Sequence, residues 1–143
     1  MMNKQGILHK MMLLVILIAG FGLALTLPAY KRHQDRRHAR QVVQVLRQLA
    51  EQERVFYREH GFYRADLATL DAGSCKPLTK GGSSGLHCVG YDVELEDARF
   101  LRARSIKYPQ WFTLAVEKDT VHCEYEVASP VGEQLCAAAH LQK

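Results

Sequence analysis

The sequence predicts an α+β protein: a long N-terminal helix, membrane-spanning in its first half, packed on a small antiparallel β-sheet with disulfide-closed loops. Three observations predict it. Residues 11–29 form a run of 19 without a formal charge, close to the ~20 that a bilayer-spanning helix requires. Beyond Pro28, apolar residues recur at helical spacing. Further on, short segments alternate between apolar and polar residues, and all four cysteines lie in this half of the chain. A length of 143 residues holds one compact domain beside such a segment.

The charge is also unevenly placed. The net charge is +4, but Lys4 and Lys10 are the only charges in the first thirty residues, so the remaining 113 carry 17 basic against 15 acidic groups. A domain that binds polyanions through its bulk charge is thereby excluded, and only local patches can do so. A hydrophobic fraction of 48% with this small net charge also excludes a disordered chain.

Taken in order, the elements begin with a helix over 7–60. Ala39, Val42, Val43, Leu46, Leu49, Ala50, Phe56 and Tyr57 mark one buried stripe, with Arg, Gln and Glu on the other face. Gly61 ends the pattern. At 1.5 Å per residue a continuous helix of this length would run ~80 Å. Gly20, Gly22 and Pro28 are its weak points, and Pro28, lacking a backbone donor, is expected to kink it. Residues 71–90 read as loop, with a flexible GGSSG tip. Strands are expected over 89–95, 111–117 and 121–127, the last two joined by a hairpin turn at Glu117-Lys118-Asp119-Thr120. Residues 128–143 read as a loop and short tail.

Cys75, Cys88, Cys123 and Cys136 form an even set, which in a small exported domain reads as a disulfide framework. Four cysteines allow three connectivities. Local pairing, Cys75–Cys88 and Cys123–Cys136, is the simplest, and each closed loop would stabilise the fold by ~3 kcal/mol. Zinc is the competing use of these residues, since His87-Cys88, His122-Cys123 and Cys136-x-x-x-His140 bring three histidines near three cysteines. However, no C-x-x-C occurs, and adjacent His-Cys residues point to opposite faces of a strand. No metal site is therefore assigned. No nucleophile elbow, zinc-protease helix or phosphate-cradling loop is present, so the chain reads as a non-enzyme without cofactor. Ser83 and Ser84 read as linker.

The N-terminus, MNKQG followed by an apolar run ending in LPAY, resembles a type IV prepilin. In that family a short basic leader ends in Gly and a dedicated peptidase cuts after it. Here Gly6 would be the leader residue and Ile7 the new, N-methylated first residue. Counted from Ile7, Gly20 falls at position fourteen and Pro28 at position twenty-two, both as in the family. The likeness continues through the long helix to the aromatic–Gly–Tyr turn and the L-x-x-L segment near residue 70. It implies a leader over 1–6, a transmembrane and filament-core helix over 7–30, and an exposed pilin-like globular domain over 31–143. It further implies other pilin subunits and the prepilin peptidase as partners. The location implied is the bacterial inner membrane, crossed once, and then the pilus, with the globular domain periplasmic or extracellular. The 123–136 loop resembles the C-terminal disulfide loop of pilins.

Two features depart from this pattern. The family has Glu at the fifth mature position, where it neutralises a neighbour's N-terminal amine in the apolar filament core; here that position is Met11. A buried unpaired ammonium is costly, so the resemblance implies a minor subunit, tip-located or assembly-priming, not the major one. The second departure is charge order. Lys31, Arg32, Arg36, Arg37 and Arg40 follow the span, against Lys4 and Lys10 before it, and the positive-inside rule taken alone would place the domain in the cytoplasm.

Another basic cluster, Arg99, Arg102, Arg104 and Lys107, lies near Phe100, Tyr108 and Trp111. Basic groups beside aromatics can hold a phosphate backbone and stack bases. Some minor pilins capture DNA for natural transformation, so these four are candidate DNA contacts; a solvated sheet edge is the plainer reading. A type II secretion pseudopilin shares the N-terminus, but such proteins often carry calcium in place of a C-terminal disulfide loop.

Overall fold

The computed structural model describes residues 4–73, 75–78, 84–97, 99–126 and 129–140. The chain divides into two compact units, Met1–Asp35 and Arg36–Lys143. Helix α1, Lys4–His60, contributes to both. Within the first unit its apolar side chains have no cover: from Leu8 to Tyr30 the large ones are all more than half exposed. The helical assignment runs through Pro28, and the nearby Thr26 hydroxyl donates to the Leu23 carbonyl at 3.2 Å.

The second unit is α+β. Residues Ala39, Val42, Val43, Leu46, Leu49 and Ala50 of α1 are buried, as the helical period requires, and form one core with the inner face of a sheet. Phe56 and Tyr57 depart from the expected stripe; Tyr57 is 45% exposed and stacks on Tyr63 instead. Glu53 is fully buried at a position where the period calls for an apolar residue. Gly61, at φ 78°, donates its N–H to the Tyr57 carbonyl at 2.8 Å, the left-handed terminator that glycine adopts without a Cβ clash.

The sheet is a six-stranded antiparallel meander whose strands lie side by side in chain order. They are β1 (Lys76–Pro77), β2 (Leu86–Cys88), β3 (Tyr91–Glu96), β4 (Phe100–Ser105), β5 (Gln110–Ala115) and β6 (Thr120–Tyr125). One cross-strand row, Val93–Ala103–Phe112–Cys123, faces the core. Next to it, Asp92–Arg104–Trp111–Glu124 and Glu94–Arg102–Thr113–His122 run along the outer face. This alternation buries α1's stripe against one side and leaves a charged face on the other.

Several expectations are corrected. Residues 71–90 are not all loop, since they contain β1 and β2. Both strands are too short for a periodic signal, and pairing with β3 decides them. Ser84 and Gly85 are not free linker: Ser84 Oγ donates to the Ala65 carbonyl at 3.1 Å, and the Leu78 N–H donates to the Gly85 carbonyl at 2.9 Å. Ser83 lies outside the described residues. Residues 99–107 are not a sheet edge. They contain β4, which is interior to the sheet, and its Leu101 and Ala103 are buried while half-buried Arg102 and exposed Arg104 alternate with them.

Nor are residues 128–143 merely loop and tail, because helix α2 spans Pro130–His140. Ser129 Oγ accepts the Gly132 N–H at 3.0 Å, and Pro130 stands in the first turn, where its missing N–H costs nothing. Eleven residues are too few to hold a helix alone; Leu135 and Ala139 in the core supply the rest.

Candidate functional site: membrane segment, clamped helix and outer sheet face

The first candidate surface is the N-terminal part of α1. It is the one helix among the described residues long and apolar enough to cross a membrane. Gly6, Ile7, Gly20 and Pro28 all lie within this helix. A Cβ added at Gly6, Gly20 or Gly22 would meet nothing within 4 Å, so these glycines relieve no crowding inside one molecule.

The basic residues that follow are put to different uses. Arg36 donates to Gln134 Oε1 at 3.1 Å, and Arg40 donates to the Ala138 carbonyl at 3.3 Å. Arg40 thereby brings positive charge to the C-terminal turn of α2, where unpaired carbonyls and the helix dipole favour it. The Cys123–Cys136 disulfide ties the same helix to β6 across a Cα separation of 5.6 Å. Cys75 and Cys88 form the second disulfide, with Cα atoms 4.4 Å apart. Both pairings are the local ones, and none of the four sulfurs is left as a thiolate ligand. His87 turns to the outer face and bonds Asp92 at 2.8 Å, while its neighbour Cys88 is buried. Among the described residues no group of three His, Cys, Asp or Glu side chains converges on a metal position.

The four candidate DNA contacts lie on β4 and beside its two ends. Arg102 and Arg104 stand on the outer face of β4, Arg99 precedes that strand and Lys107 follows it. Carboxylates interleave with them. Glu96 pairs with Arg102, and Asp92 and Glu94 stand opposite Arg104 and Arg102 across β3. Arg102 also lies 6.0 Å from the Trp111 ring centre, and the indole N–H donates to Glu124 at 2.8 Å.

Sequence reasoning missed two further features. Glu53 Oε2 accepts the Arg64 N–H at 3.0 Å, which ties the turn after α1 back to the helix, while Oε1 is buried without a partner among the described residues. Burial raises its pKa above the usual carboxylate range, with the Arg64 hydrogen bond and charge opposing. The signal was an acidic residue inside the apolar register. Near the same end of α1, Tyr57, Tyr63, Arg54, Arg58, Glu51 and Glu117 line an open groove of about 430 Å³. Burial, then the charge of Glu117, raises the Tyr63 pKa. Arg54 is held there by Glu51 at 2.8 Å, Asp119 at 3.5 Å and the Val116 carbonyl at 2.7 Å.

No protein-family model, curated protein or solved structure matches the chain.

Proposed function

We propose that the chain is a structural minor subunit of a type IV pilus, tip-located or assembly-priming. The leader is cleaved after Gly6, and Ile7 becomes the methylated N-terminus. The peptidase and other pilins are its partners, and α1 holds it in the bacterial inner membrane before assembly. One observation carries the reading: Gly6, Gly20 and Pro28 keep pilin spacing on a helix that is bare over its first half and built into a disulfide-bearing α+β core over its second. Two disulfides favour an oxidising compartment for the domain. The use of Arg36 and Arg40 as a clamp on α2 supplies a structural reason for positive charge after the span, so the charge-order argument for a cytoplasmic domain loses weight.

Of the alternatives, a DNA-capturing minor pilin draws less support, because the carboxylates among Arg99, Arg102, Arg104 and Lys107 offset their field. A type II secretion pseudopilin shares the N-terminal argument and differs in its assembly partners. The test is the intact mass of the protein purified from its native membrane. The expected mass begins at Ile7 with one added methyl group. A chain beginning at Met1 or Met2, or one cut near Ala29, refutes the proposal.

A further inference from the structure

We propose that a cleft on the outer sheet face binds a small zwitterion, with Arg104 taking its anionic group and Glu126 and Trp111 its cationic one. The cleft has a volume of about 120 Å³, and Arg104, Tyr108, Gln110, Trp111 and Glu126 are among the residues lining it. Its placement follows from the register. Arg104 stands opposite Trp111 across β4 and β5, and the Glu126 N–H donates to the Pro109 carbonyl at 3.1 Å, which carries the β5–β6 pairing past Tyr125.

Two ion pairs form elsewhere on this face: His87 with Asp92, and Arg102 with Glu96. Arg104 and Glu126 are different. Both are exposed, both line the same cleft, and neither side chain has a hydrogen-bond or ion-pair partner among the described residues. Gln110, at the floor, belongs to the core side of β5: it is 1% exposed, and its Nε2 donates to the Tyr91 hydroxyl at 3.1 Å. Trp111 is held by its bond to Glu124, so the indole is oriented before any ligand arrives.

These features select the ligand. A guanidinium presents a planar fork to a carboxylate or phosphate. An indole beside a carboxylate suits an ammonium or quaternary ammonium. An ion of one sign satisfies one end and leaves the other open; a compact ligand with both signs satisfies both. The volume admits a group of amino-acid or lipid-headgroup size. This inference does not depend on the pilus assignment.

Trp111 is the single tryptophan, so its fluorescence reports on this cleft alone. The full chain in nonionic detergent would be titrated with glycine betaine and with phosphocholine; the two arms separate an amino-acid carboxylate from a headgroup phosphate. Acetate, phosphate and tetramethylammonium serve as one-sign probes. A saturable change is expected with at least one zwitterion, with one-sign probes at least about tenfold weaker. Arg104→Gln and Glu126→Gln should each weaken binding by about tenfold, and Glu94→Gln, on the same face outside the cleft, should leave it unchanged. Circular dichroism of each variant checks folding, and Glu126→Gln lies past the last strand, where no packing depends on the charge. The proposal is overturned by no saturable response to either zwitterion at tens of millimolar, by equal response to a one-sign probe, or by unchanged binding in both variants.

Discussion

Replacing Glu53 separates the two roles this side chain plays. Its carboxyl is fully buried, and one oxygen accepts the Arg64 N–H while the other has no partner among the described residues. Glu53→Gln keeps an acceptor for Arg64 and removes the charge; Glu53→Met keeps the volume and removes the acceptor. With methionine the Arg64 N–H loses its bond in a part-buried site, at a cost of about 1–3 kcal/mol. With glutamine the desolvation of a carboxylate disappears, so stability at pH 7 should stay within about 1 kcal/mol of the parent or exceed it.

The pH dependence carries a sign. Burial raises the folded-state pKa above 4.5. Between the unfolded and folded values the native state binds the proton more tightly, so this group's contribution is fully present below the unfolded value. It is lost as pH rises through the folded one. Each unit of separation is worth about 1.4 kcal/mol at neutral pH. Urea unfolding of the full chain in detergent, followed by Trp111 fluorescence from pH 4 to 8 in parallel for all three proteins, measures this. The parent should lose stability relative to Glu53→Gln as pH rises. An identical pH profile for the two, or a Glu53→Met variant as stable as the parent, would falsify the account.

Two other substitutions test the sheet. Val89 and Gly90, between β2 and β3, both have positive φ, 49° and 81°, as a two-residue type I′ turn requires; a β-branched residue is strained there. Val89→Asn should therefore raise the urea midpoint, by about 0.5–1 kcal/mol of stability, and an unchanged or lower midpoint would count against strain at this turn. A Cβ on Gly85 would stand 2.8 Å from the Val93 carbonyl oxygen and 2.7 Å from Leu78 Cδ1. Gly85→Ala should destabilise by about 1–3 kcal/mol, read from the same unfolding curves, and a neutral result would mean that β2 shifts freely against β3.

The legible parts of the fold were those where a local pattern is long or chemically distinctive. The α1 stripe from Ala39 to Ala50 repeats over several turns, and Gly61 ends it. β3, β5 and β6 alternate over six residues each. β4 alternates too, but Ala103 is a weak apolar marker, and its arginines read as a patch before they read as one face of a strand. β1 and β2 offer too few residues for any period. The outer cleft was partly visible. Arg104, Tyr108 and Trp111 stood out in the basic, aromatic segment. Glu126 did not, because its place beside them comes from pairing between strands.

From the sequence alone follow a charge-free segment of membrane length, an amphipathic helix behind it, an α+β class and an even set of cysteines. Each depends on residues near one another in the chain, where periodicity and composition act directly. The tertiary structure decided which cysteines pair, that Arg36 and Arg40 grip α2, that β4 is interior, and which charges stay unpaired. Those outcomes depend on residues brought together from distant points of the chain. The free energy of a hydrogen bond, an ion pair or a buried carboxylate is set by the neighbours that folding supplies.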